Sequence, residues 1–157
     1  MFGVALGAFG ELDQTRGNDP NPMVSGTYEI PLTREGRLRI EAGRTVLPIV
    51  PYGADDARQR TDTAHISRIN VGVEGLRSPG APLSGYLGVG YGVYRASFDH
   101  ASRSGWLGGV HFYAGGEMLL SDHLCIDAEI GVHLLREPLY PRFVLPGEAV
   151  IRVKVGL

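Results

Sequence analysis

The chain has a single cysteine, Cys125, so an internal disulfide is excluded and nothing follows about redox compartment. No stretch approaches the roughly 18 consecutive apolar residues that mark a membrane-crossing helix. A helical period is missing as well, since nowhere do apolar residues recur convincingly at i, i+3, i+4 and i+7. Met1 leads straight into strand-like sequence without the basic n-region of a signal peptide, so an exported protein would correspond to a mature sequence behind an initiator methionine. Basic clusters are absent and the formal net charge is −2, which gives no reason to expect nucleic acid as a partner.

Glycine is what the chain has in excess. The 157 residues include 23 glycines, against a usual share of roughly 7%. They sit inside apolar stretches such as "GVALGAFG", "GYLGVGYGVY" and "YAGGEM" rather than in a linker. In a helix interior each would cost about 1 kcal/mol. In strands, glycine marks bends, bulges or tight interior space. The length suits one domain over 1–157, large enough for a core or a small closed barrel.

Apolar and polar residues alternate in eight segments, at 2–12, 23–32, 36–48, 65–76, 85–98, 106–120, 124–135 and 147–157. These are close to the roughly 9–11 residues of a tilted membrane strand and longer than the five or six of an ordinary one. Short connections at 33–36, 78–83 and 121–123 alternate with longer ones at 13–22, 51–64, 99–104 and 136–146. Strict alternation of short and long connections is the pattern of an outer-membrane barrel, with short periplasmic turns and long external loops. The expected fold is therefore all-β, an eight-stranded antiparallel up-and-down transmembrane barrel with both termini on the periplasmic side.

Sorting the strands by parity separates two faces. One carries Phe2, Val4, Leu6, Tyr28, Ile40, Val71, Leu87, Tyr91, Phe112, Ile130, Ile151 and Val153, and its central stretches hold no charge. The other carries glycine together with Glu29, Arg37, Arg39, Glu41, Arg68, Glu74, Glu117, Asp127, Glu129, Arg152 and Lys154. A water-facing sheet has no need for glycine, whereas an eight-stranded barrel has an interior barely wide enough for side chains. Enclosed charges must be paired. The near balance of signs thus predicts an ionic network plugging a narrow lumen. Trp106, Tyr91, Phe2 and Phe98 suit interfacial belts. Arg44, aimed at lipid by strict alternation, is expected to snorkel at the outer rim or to follow a bulge.

The stretch "YAGGEMLLSDHLCIDAEIGVHLL", with its Gly-Gly-Glu strand, Ser-Asp-His turn and alternating acidic strand, resembles the small OmpA-like and OmpX-like outer-membrane barrels. The hairpin "YEIPLTREGRLRIEAG" is similar. The pattern covers the whole chain, and the near-motif covers 113–134. The resemblance implies location in the bacterial outer membrane and carries over no catalytic residue. Such barrels usually end in an aromatic residue, whereas this sequence ends in Leu157.

His65 and Ser67 lie two apart in "AHISRIN" on the lipid-facing parity, faintly like the His-x-Ser of PagL-type lipid A deacylases. A nucleophile–base pair needs an orienting carboxylate; Arg68 stands where that family has Asn, and no carboxylate falls at the matching offset. His123 and Cys125 do not complete a zinc set. His111 and His133 point to the lumen, where Glu117 or Glu129 would be their partners. No phosphate loop is present. The expected role is non-enzymatic and needs neither metal nor cofactor: a structural or surface-interaction barrel, monomeric or part of an envelope assembly. Its partners would be the bilayer, outer-leaflet glycolipid and a protein met at the external loops. The contact surface falls on Leu139, Tyr140, Arg142, Phe143 and Val144 in the proline-rich "REPLYPRFVLPG". A soluble lipocalin-like carrier and a lipid hydrolase using His65 and Ser67 are the alternatives.

Overall fold

A computed structural model describes residues 1–11, 21–49, 62–98, 104–136, 143–144 and 146–156. Its strands are β1 (Phe2–Glu11), β2 (Asn21–Pro31), β3 (Gly36–Ile49), β4 (Asp62–Arg77), β5 (Leu83–Phe98), β6 (Ser104–Ser121), β7 (Leu124–Arg136), β8 (Phe143–Val144) and β9 (Pro146–Val155). Each long strand pairs antiparallel with its neighbours in sequence, and β1 pairs with β9 to close the ring. The two-residue β8 continues β9: Leu135↔Val144 and Val132↔Gly147 belong to one unshifted register against β7. The ring thus has eight walls. Phe143 and Val144, expected in a loop, lie in that eighth wall, where pairing with β7 satisfies their backbone groups. Leu139, Tyr140 and Arg142 fall outside the described residues.

The register fixes the shape of the barrel. Stepping from partner to partner around the ring runs Leu124, Val155, Phe2, Tyr28, Ile40, Val71, Tyr91, Val110, Leu134. One circuit returns to β7 ten residues further along, from 124 to 134. Eight strands with that stagger tilt by about 40° and enclose a radius of about 8 Å, which side chains fill. Every residue on this path belongs to the apolar parity.

The two faces are sharply divided. Leu6, Leu87, Ile130 and Ile151 are 70%, 71%, 67% and 63% exposed, while Arg152, Lys154 and His133 are each 0% exposed. Such a protein is inside out relative to a soluble barrel: the oily face has no protein to cover it, and the ions do. Phe2, Tyr91 and Trp106 all face outward. The side chain of Phe98 is outside the described set. Arg44 is outward and exposed, and the β2–β3 ladder runs through it without a register shift, so it follows no bulge.

Candidate functional site

The interior is built in tiers. At the tier nearest the short turns, Arg37 reaches Glu29 at 3.1 Å, Glu74 at 2.8 Å and Glu117 at 2.9 Å. Lys154 sits 2.6 Å from both Glu29 and Asp127. In the middle tier Arg39 joins Glu41, Glu74 and Glu129, and its guanidinium lies 4.5 Å from the centre of the Tyr113 ring. Arg152 Nη1 donates to both carboxylate oxygens of Asp127, at 3.0 and 3.1 Å, and Nη2 reaches Glu129 at 3.4 Å. Tyr86 donates to Glu129 at 2.8 Å. All eleven charged residues expected in the lumen are inward and meet a partner of opposite sign within this mesh or at its upper edge, where Arg68 pairs with Glu41.

The upper tier holds one further carboxylate, Glu148, beyond the eleven expected charges. Glu148 shares the even parity of Arg152 and Lys154, is 6% exposed, and pairs with Arg68. It also receives both lumen histidines, with His111 Nε2 at 2.9 Å and His133 Nε2 at 3.4 Å. The expected partners, Glu117 and Glu129, are engaged lower down by Arg37, Lys154, Arg39 and Arg152. Register explains the difference: Glu148 opposes Gly131, two residues from His133, and His133 opposes His111. The two imidazoles stack at 4.0 Å with planes 7° apart. With Glu148 included, seven described lumen carboxylates (Glu29, Glu41, Glu74, Glu117, Asp127, Glu129, Glu148) face five cations (Arg37, Arg39, Arg68, Arg152, Lys154).

Above the histidines the lumen turns apolar. Phe9, Met23, Ile66 and Leu135 pack with Ala5, Tyr94 and Val150 near the ends of the strands that lead to the long loops. Three tyrosines, Tyr86, Tyr94 and Tyr113, also point inward, beyond the charged set expected there. Glycine makes room for them. A Cβ on Gly88 would lie 2.2 Å from the Tyr113 ring, and one on Gly115 2.4 Å from Tyr86. Gly88→Ala should therefore cost about 1–3 kcal/mol of overpacking. Tyr113→Ala in the same chain should recover part of that loss, read as a non-additive double-mutant cycle in urea unfolding. Strict additivity would mean that glycine is not holding the tyrosine slot.

On the outer wall, His65 and Ser67 do share a face. Arg44 lies 3.4 Å from His65 Nδ1, and a guanidinium is not the orienting carboxylate that a nucleophile–base pair needs. Cys125 is inward and 1% exposed, close to the turn between β6 and β7.

No protein-family model and no curated protein sequence matches the chain. Solved structures do. Neisserial surface protein A is 17% identical over 99% of this chain and 94% of its own, with a TM-score of 0.70. OprG, an outer membrane protein of Pseudomonas aeruginosa, is 12% identical over 99% and 93%, with a TM-score of 0.59. The fold is that of the small outer-membrane β-barrels. The attachment invasion locus protein Ail of Yersinia pestis, in complex with the heparin analogue sucrose octasulfate, has the same architecture at 15% identity over 98% and 94%, with a TM-score of 0.60. An outer-membrane barrel sits with its apolar band in lipid because every backbone donor is paired between strands. This barrel has such a band, bounded at the loop end by Arg44 and Arg95, the latter against Trp106 with its guanidinium carbon 5.8 Å from the ring centre.

Proposed function

We propose that the chain is a non-enzymatic barrel of the bacterial outer membrane that works through its loop end, while its lumen is a sealed structural core. The observation that carries this reading is the tiered ionic mesh under an apolar cap: buried ion pairs occupy the lower and middle tiers of the described lumen and apolar side chains pack above them. A lumen filled in this way has no use as a route or a reaction vessel. The ends of β1, β3, β5 and β7 lead into residues 12–20, 50–61, 99–103 and 137–142, on one side of the ring. In sequence these segments carry a mixed polar set, including Arg16, Asp19, Asp55, Asp56, Arg58 and Arg60, and the proline-rich stretch with Leu139, Tyr140 and Arg142. Mixed charge beside apolar residues in a proline-rich sequence fits a protein partner. The outward Arg44 and Arg95 fit the anionic headgroups of an outer-leaflet glycolipid.

Conductance decides between loops and lumen. Purified protein reconstituted in planar bilayers should give no stable, large single-channel currents, since eight strands around a paired interior leave no continuous water path. Sustained currents that scale with the amount of inserted protein would move the function into the lumen.

A further inference from the structure

We propose that the upper tier of the lumen binds one divalent transition-metal ion, with His111 Nε2, His133 Nε2 and a carboxylate oxygen of Glu148 as its ligands. The inference is independent of the role given to the loops. The ligand atoms converge, all lying within 4.8 Å of one another, on three residues that are buried on different strands. Both Glu148 oxygens and His111 Nε2 are buried without a hydrogen bond of good geometry, although ion-pair neighbours stand close. Metal bonds of about 2.0–2.2 Å would satisfy all of them after a small inward movement.

Two further observations point the same way. Tyr94 Oη lies 2.5 Å from His133 Nδ1. An acceptor on the far ring nitrogen is the outer-sphere contact that fixes a ligating imidazole in the tautomer presenting Nε2 to the metal. Charge is the second. The described lumen has two carboxylates more than cations, and one divalent ion cancels that excess. At present the Arg68 guanidinium shares the niche, 2.5 Å from Glu148 and 3.0 Å from His133 Nε2. Arg68 also pairs with Glu41, so it keeps a carboxylate partner when an ion takes Glu148. Two imidazoles and one carboxylate select zinc, cobalt, nickel or copper over calcium and magnesium, which prefer all-oxygen ligand sets. The cap of Phe9, Met23, Ile66 and Leu135 above the site means that the ion enters as the barrel forms.

The test therefore loads the ion during folding. The chain is refolded from denaturant into detergent with Co2+ or Zn2+, desalted, and analysed for metal content and for the visible ligand-field absorption of Co2+. A heat-dependent shift in gel mobility reports that the barrel has formed. One ion per folded barrel and a Co2+ band are expected. His65→Ala, His100→Ala and His123→Ala combined remove the other histidines and should leave both signals intact. His111→Phe and Glu148→Gln should abolish them in folded protein, and Tyr94→Phe should weaken binding by about 10- to 100-fold. A parent barrel that folds in either metal yet retains none overturns the site. So does an ion that disappears with the three remote histidines, a result that remains decisive if the lumen variants do not fold.

Discussion

Arg39→Met should lower the stability of the inserted barrel by about 3–5 kcal/mol, the cost of breaking a buried ion pair from one side. Arg39 is 2% exposed and is the cation common to Glu41, Glu74 and Glu129. Each of those acids has a second cation, in Arg68 or Arg152, Arg37 and Arg152 respectively. Removing Arg39 thus leaves every carboxylate under-neutralised rather than one wholly bare, in a lumen where acids already outnumber cations. Urea unfolding in lipid vesicles can follow the single tryptophan, Trp106, which faces outward and senses the bilayer. Arg39→Lys, which keeps the charge but loses the fork, should fall between the parent and Arg39→Met. A loss no greater than the roughly 0–1 kcal/mol of a surface ion pair would show that the middle tier is hydrated rather than sealed.

Ile130→Arg should destabilise the inserted state by about 2–4 kcal/mol, as expected for a cation on the lipid side at mid-membrane. Ile130 stands at the centre of β7, is 67% exposed, and has only apolar or glycine residues as its partners at Ala114 and Ala149 and as its outward neighbours along the strand. In water that exposure would make arginine harmless or helpful. The experiment therefore discriminates directly between a lipid-facing and a water-facing wall, including the lipocalin-like alternative. The same unfolding assay applies, with Ile130→Ala separating lost contact area from buried charge. Equal stability of the arginine and alanine variants would sink the lipid-facing assignment.

Most of the architecture was legible in the sequence because a barrel strand has a period of two and each residue commits its neighbours. Once Arg152 and Lys154 were placed inside, Ile151 and Val153 had to be outside, and the structure places them so. The strand ends were less visible: β4 begins at Asp62 and β5 at Leu83, earlier than the alternation suggested, because ladder pairing continues where hydropathy contrast has faded. The partners of the histidines were not legible for a different reason. Parity names the face but not the height, and height follows from a stagger that only the full circuit of registers fixes. Glu148 lies inside the expected last strand at 147–157 with the parity of Arg152 and Lys154, so its inward position was legible and only its partners were not. The inward tyrosines were not legible because an amphipathic ring suits the bilayer interface as well as a tight interior with a hydrogen-bond partner. The glycine-rich β5 carries a signal for two of them, since Gly88 leaves room for Tyr113 of β6 and Gly92 for Tyr94 of the same strand.

The seam between β1 and β9 joins the two most distant strands of the chain, and this bears on how the barrel comes to exist. Until it forms, the sheet is an open ribbon with two unpaired edges, which hydrocarbon punishes at every exposed amide. Long-range closure is also the slowest kind of pairing. Before β9 docks, the inner faces of β2 to β7 present six carboxylates (Glu29, Glu41, Glu74, Glu117, Asp127, Glu129) to three arginines (Arg37, Arg39, Arg68). The arriving strand brings Arg152 to Asp127 and Lys154 to Glu29. The last wall is thus drawn in by the charge of the earlier ones, although it also carries Glu148, so the latch that completes the hydrogen-bonded ring lowers the carboxylate excess of the described lumen from three to two.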